Sequence, residues 1–243
     1  MQQQVKKEGV SQAFTGRRNF LKLSGLTLAG TGLLLAGCSD DDDTTPTADN
    51  LPGVRNGKFD LGGGDFGVLT YAYALEQLEA DFYTRVVGSA GFASFSEEAR
   101  DILSDIHKHE VIHREFFKST LNSLLPSANV LPALEFAYAG VNFDSESSVL
   151  ATAAVLEDTG VAAYNGGGQY IADSAYLVIA GQIVSVEARH ASAIRDLINP
   201  GSTDFANTAD ANGLDPAKNP SEIISAVSSL GLITTPFTAT FLP

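Results

Sequence analysis

His107-Lys-His-Glu-Val-Ile-His-Arg-Glu-Phe-Phe-Lys118 is the stretch on which this chain turns. At its centre Glu110 and His113 stand three residues apart. Seventy-seven residues downstream the pair recurs as Glu187-Ala-Arg-His190. A Glu and a His at that spacing lie on one face of a helix, about one turn from each other. Each pair interrupts an apolar stripe, and two such pairs aimed at one core could hold metal.

Outward from these pairs, the apolar periodicity predicts four helices. The first spans 65–87, with Asp65 as N-cap, Gly88 as stop, and a stripe of Leu69, Ala72, Glu76, Glu79 or Ala80, Tyr83 and Val87. The second spans 95–125, opened by the capping-box pattern Ser94-Phe-Ser-Glu97 and ended by Pro126. Its stripe is Ala99, Leu103, Ile106, Glu110, His113, Phe117, Leu121 and Leu124. The third spans 145–164, stopped by Asn165-Gly-Gly-Gly168, with Leu150, Ala153, Glu157, Gly160 or Val161, and Tyr164 in its stripe. The fourth spans 173–198, stopped by Asn199-Pro-Gly201, with Tyr176, Ala180, Ile183, Glu187, His190, Ile194 and Leu197. Each stripe is broken near its middle by Glu, or by Glu and His. An unpaired charge on a core face is expensive, so four helices making this choice at similar depth implies that the charges belong together.

The spacing also repeats. Glu76-x6-Tyr83 recurs as Glu157-x6-Tyr164, just as Glu110-x2-His113 recurs as Glu187-x2-His190. The chain therefore reads as one helical hairpin used twice. The link between the hairpins, about 126–144, is longer than the turns within them and carries Pro126 and Pro132. The predicted fold class is all-α: a four-helix bundle of two hairpins joined by a long crossover, over residues 61–200, with a C-terminal extension, 201–243, packed against it.

On these residues the chain resembles the ferritin-like superfamily, which includes bacterioferritins, rubrerythrins and manganese catalases. It looks more closely like exported ferritin-like domain proteins of the desiccation-related type. The resemblance covers about residues 65–198. It implies a site in which two helices each give one Glu and two others each give Glu-x-x-His. Carried over residue by residue, the metal ligands are Glu76, Glu110, His113, Glu157, Glu187 and His190. The expected cofactor is two divalent ions, iron or manganese, with Glu110 and Glu157, or their equivalents, as candidates to bridge them. Four carboxylates and two divalent ions cancel in charge, and without metal the buried carboxylates are expected to hold protons. Tyr83 and Tyr164 are expected to donate hydrogen bonds behind the ligands, or to take part in redox steps. Glu79, one turn from Glu76, could join or replace it.

Composition narrows the partners. The whole chain carries −14. Residues 1–37 hold five of its 15 Lys/Arg and one of its 29 Asp/Glu; ten against 28 remain, so the rest is near −18. That charge argues against nucleic acid or anionic lipid as a partner of the body. The single cysteine, Cys38, excludes a disulfide within the chain and a thiolate metal cluster.

The position of Cys38 has its own reading. Thr15-Gly-Arg-Arg-Asn-Phe-Leu-Lys22 resembles a twin-arginine export motif, an apolar run follows, and Leu35-Ala-Gly-Cys38 resembles a lipobox. Residues 1–37 are read as a signal peptide and Cys38 as the lipidated residue. Residues 38–60, with Asp40 to Asp43, are read as an acidic disordered tether with local turns at Pro52-Gly53 and Asn56-Gly57. The expected location is the bacterial cell envelope, periplasmic or on the cell surface, anchored to the membrane through Cys38. Such a tether argues against a storage shell and leaves room for a homodimer.

Three functions compete at this point. A di-metal centre could act on a small oxidant or on metal ions, as a peroxidase, catalase or ferroxidase. A non-catalytic envelope or stress-related protein could keep the bundle as a binding or structural module. His109-Glu110-Val-Ile-His113 also matches the HExxH motif of zinc proteases. That reading needs a third ligand, for which Glu135 stands at a permissible distance, and it leaves Glu187, His190 and both Glu-x6-Tyr pairs unexplained. In the tail, 220–230 reads as a short helix, and Thr234 to Pro243 as β-prone and apolar.

Overall fold

Four helices form where the apolar stripes predict them, and their ends show which local signals the chain uses. The structure, a computed structural model, describes residues 50–243. The expected signal peptide, Cys38 and the tether up to residue 49 lie outside the described residues. The helices are α1 (Gly64–Val87), α2 (Glu97–Leu124), α3 (Glu146–Gly167) and α4 (Ser174–Ile198). α1 packs chiefly on α2, and α3 on α4. The two hairpins meet through α1 against α3 and α2 against α4.

Three helices begin on side-chain caps. Ser96 accepts from Ala99 N at 3.2 Å, Ser145 from Ser148 N at 3.4 Å, and Asp173 from Ala175 N at 2.8 Å. The cap of α2 is thus Ser96, not the expected Ser94, which ends a short 3-10 turn at Phe92–Ser94. Asp65 does not cap α1, which starts after Gly63 without a side-chain cap. Its carboxylate instead accepts from Ala172 N at 2.7 Å and Asp173 N at 2.9 Å, tying the start of α4 to the start of α1.

α3 also runs through the glycines that were expected to stop it. Gly166 serves close approach: a Cβ there would stand 1.7 Å from the Lys218 carbonyl oxygen, whereas one on Gly167 would meet the Tyr71 ring at an ordinary 3.5 Å. The chain passing over Gly166 is held by Lys218 N donating to Ala162 O at 3.0 Å.

α1 is buried on nearly every side, because the crossover covers the face that α2 and α3 leave open. Gln77 pins that strap, donating to Pro132 O at 3.3 Å and accepting from Leu134 N at 2.9 Å. Tyr138 Oη donates to Leu78 O nearby, at 3.3 Å. α5 (Pro220–Leu230) covers α3, burying Pro220, Ile223 and Val227.

Residues 53–60, read as part of the disordered tether, are ordered. They form a hairpin, β1 (Gly53–Arg55) and β2 (Lys58–Asp60), around Asn56-Gly57, both at positive φ. That turn suits the twist of two antiparallel strands. β3 (Phe237–Thr238) adds to β2 in parallel, so the all-α body carries one small sheet. The order comes from Asp60, which is fully buried. Its carboxylate accepts from Gly62 N, Thr238 Oγ1, Thr240 N and Thr240 Oγ1 at 2.6–3.0 Å. Burial alone would raise this carboxyl; the two threonines and the two backbone donors outweigh it and hold the pKa below the usual range.

Candidate metal centre

The fold brings together all six residues that the spacing singled out. Glu76, Glu110, Glu157 and Glu187 have no exposed surface, and His113 and His190 have under a tenth. They form two overlapping groups: Glu76, Glu110, His113 and Glu187; and Glu110, Glu157, Glu187 and His190. Within each group the ligand-type atoms lie within 4.8 Å of one another. The residues common to both are Glu110 and Glu187, the carboxylates of the two Glu-x-x-His pairs. The expectation that Glu157 is shared is corrected here, since Glu157 sits in one group only. The pseudo-twofold relation between the hairpins makes Glu187, not Glu157, the counterpart of Glu110.

The orientation of these atoms is the decisive observation. Eight buried atoms in the cluster have no hydrogen-bond partner: Glu76 Oε2, both oxygens of Glu110 and of Glu187, Glu157 Oε2, and Nδ1 of His113 and His190. Some lie close. His113 Nδ1 is 2.9 Å from Glu187 Oε1, and His190 Nδ1 is 2.9 Å from Glu110 Oε1. These contacts are short but lack hydrogen-bond directionality; the atoms converge on common points. An orphaned buried polar atom is costly, and eight in one place fit the donor set of a metal ion. Such clusters could hold a metal ion.

The two remaining carboxylate oxygens face outward to tyrosines, across the hairpins. Tyr83 of α1 donates to Glu157 Oε1 of α3, and Tyr164 of α3 donates to Glu76 Oε1 of α1. The expected hydrogen-bonding role has this geometry, with the crossing as the new element: each tyrosine serves the other helix's Glu. Burial first, and then the partner carboxylate, push both phenols well above their usual pKa, so they stay neutral donors.

Left to themselves, the charges balance differently from expectation. Burial raises Glu76 and Glu110, and takes Glu157 up to about 7, so these three favour the protonated form. Glu187 goes the other way. Burial would raise it, but the two imidazoles beside it, His113 and His190, bring it down to about 2. Burial would likewise lower the two imidazoles; the surrounding carboxylates reverse that and take both to about 12. Protons therefore sit on the histidines as well as on carboxylates, because Glu187 lies between the two rings.

Glu79 is buried yet belongs to neither group. Its Oε1 lies 3.1 Å from where a Cβ on Gly160 would stand. Burial first, then the charges of Glu110, Glu187, Glu157 and Glu76, push its pKa well up. The sequence cannot show this separation, because Glu76 and Glu79 share a helix face. His109 is not among the converging residues; its Nδ1 lies 2.8 Å from Nε2 of His190, outside the cluster. Glu135, the third ligand that a zinc-protease arrangement would need, is exposed in the crossover, where its backbone pairs with Thr234 and Thr235.

Tyr164, whose hydroxyl meets Glu76, also lines a small apolar cavity of about 20 Å³, together with Leu69, Ala72, Phe117 and Ile179 among others. That is room for about one water-sized molecule.

With the bundle and its buried centre established, the class of protein follows. The ferritin-like domain family matches residues 64–200, more than half of the chain, and the chain belongs to that family. A comparison with curated proteins finds no match.

Proposed function

We propose that this chain is an exported, lipid-anchored ferritin-like protein whose core holds two divalent ions, iron or manganese, for redox chemistry on peroxide or dioxygen, or on iron itself. The observation that carries the metal reading is the convergence of eight orphaned buried N and O atoms from six residues. Oxygen and imidazole donors suit iron and manganese. Glu76 and His113 would hold one ion, Glu157 and His190 the other, with Glu110 and Glu187 shared. When bound, two such ions would pass electrons to peroxide or dioxygen and take them back from a reductant such as ferrous iron. The chain's own residues keep bulk water out and orient the carboxylates through Tyr83 and Tyr164, and Tyr164 also lines a water-sized apolar cavity. That size favours a small oxidant over an organic substrate.

For location, the proposal takes Cys38 as the lipidated residue. Among the described residues no helix is long and apolar enough to cross a membrane. A Cys38→Ala variant is expected to leave the membrane fraction.

Metal analysis of the purified protein tests the central reading. About two Fe or Mn per chain are expected, with peroxide turnover, and both are expected to fall in His190→Ala. A folded wild-type protein with neither metal nor turnover would sink the proposal and leave the bundle as a non-catalytic envelope module.

A further inference from the structure

The two ligand histidines are not held alike. Both aim Nδ1 into the cluster: His113 Nδ1 lies 2.9, 3.5 and 3.7 Å from oxygens of Glu187, Glu76 and Glu110. His190 Nδ1 lies 2.9, 3.5 and 3.6 Å from oxygens of Glu110, Glu157 and Glu187. Ring orientation then depends on what Nε2 finds on the outer side. For His190 that partner is His109, whose Nδ1 stands 2.8 Å away, the two ring planes within 12° of parallel and their centroids 5.1 Å apart, as an edge-to-edge N–H···N bond requires. Among the described residues, His113 has no such outer partner. The counterpart of His109 in the second hairpin is Val186, whose side chain can neither give nor accept a hydrogen bond.

We propose that His109 is a positioning residue for His190, fixing its ring and tautomer and so making the two ion sites unequal. The inference rests on the metal reading above. An imidazole that offers the Nδ1 lone pair to an ion carries its single proton on Nε2. At 2.8 Å that proton is donated to His109 Nδ1, which accepts when its own proton lies on the solvent-facing Nε2. One choice of tautomer thus sets both rings. A partner on the far nitrogen of a ligand histidine holds its orientation and raises its basicity, and losing one typically weakens metal binding about 10–100-fold. The site of Glu110, Glu157, Glu187 and His190 gains this support, and the site of Glu76, Glu110, Glu187 and His113 does not.

Titration of the full protein with Co²⁺, followed by its visible absorption, separates the two sites. In His109→Leu, which fills space without an acceptor, the tighter site is expected to weaken about 10–100-fold. The other site is expected to hold, with the thermal midpoint before metal addition unchanged. His109→Asn, which returns an acceptor oxygen near the Nδ1 position, is expected to recover most of the loss. Two sites of unchanged affinity in His109→Leu would overturn the inference while leaving the metal centre standing. Equal weakening of both sites, or no recovery in His109→Asn, would overturn it as well. No Co²⁺ binding by the wild-type protein would overturn the metal reading and this inference with it.

Discussion

The two hairpins match at the centre and differ on either side of it. Glu76, Tyr83, Glu110 and His113 have their counterparts in Glu157, Tyr164, Glu187 and His190, and the tyrosine hydrogen bonds cross between the halves in both directions. One turn beyond the first of these residues the likeness fails: Glu79 of α1 faces Gly160 of α3, its repeat position, across the axis. A second acidic side chain at 160 would compete for the space that Glu79 fills. On the other side His109 answers to Val186. The duplicated positions are those that meet in the middle. Positions one step away are free to diverge, provided that one half yields room to the other.

The comparison can be broken most severely at the shared carboxylates. Glu187→Ala removes oxygens from both groups and is expected to take metal content from about two ions per chain to near none. Glu76→Ala is expected to leave one. Elemental analysis of the two variants, prepared side by side, checks this; equal losses would mean that Glu187 is not shared.

The next effect concerns the unequal acids, Glu157 raised to about 7 and Glu187 lowered to about 2. A group whose pKa is higher in the fold than in the unfolded chain binds its proton there first, so its contribution is lost as pH rises. Glu157 loses its contribution between its unfolded value and about pH 7. The raised imidazoles lose stability in the same direction above their unfolded value, while Glu187 contributes oppositely only below about pH 4.5. Chelator-treated protein is therefore expected to melt at lower temperature at pH 7.5 than at pH 5, and added metal to restore the loss. Metal binding should also release protons. A melting temperature that rises over this range would contradict the assignment.

Smallest is the packing effect. Gly160→Ala places a methyl 3.1 Å from Glu79 Oε1 and is expected to cost about 1–3 kcal/mol. In a Glu79→Ala background the cost should largely vanish, so a double-mutant cycle by denaturant unfolding would show coupling between the two positions.

Much of this architecture was legible from spacing. The four helices, the short helix at 220–230 and the six converging residues all follow from which side chains share a face. What escaped depends on contacts between distant segments. Gly166 looks like part of a stop until the chain at Lys218 is seen lying against it. Asp65 looks like a cap until Ala172 and Asp173 arrive beside it. Glu76 and Glu79 lie on one face of one helix, and only the position of α3 separates them. The hairpin at 53–60 follows an acidic, Pro-containing run and owes its order to Thr238 and Thr240, far along the chain. Spacing also placed each tyrosine near its own helix's Glu, whereas the packing gives it the other's.

Asp60 and its partners bear on how such a chain is made. The carboxylate is satisfied by threonines 178 and 180 positions downstream, and β2 gains its parallel neighbour only when residues 237–238 arrive. Contacts of such separation form late and slow the folding of a domain. The buried Asp60 carboxylate lacks these donors until residues 238–240 have joined the fold, so this corner of the domain closes late.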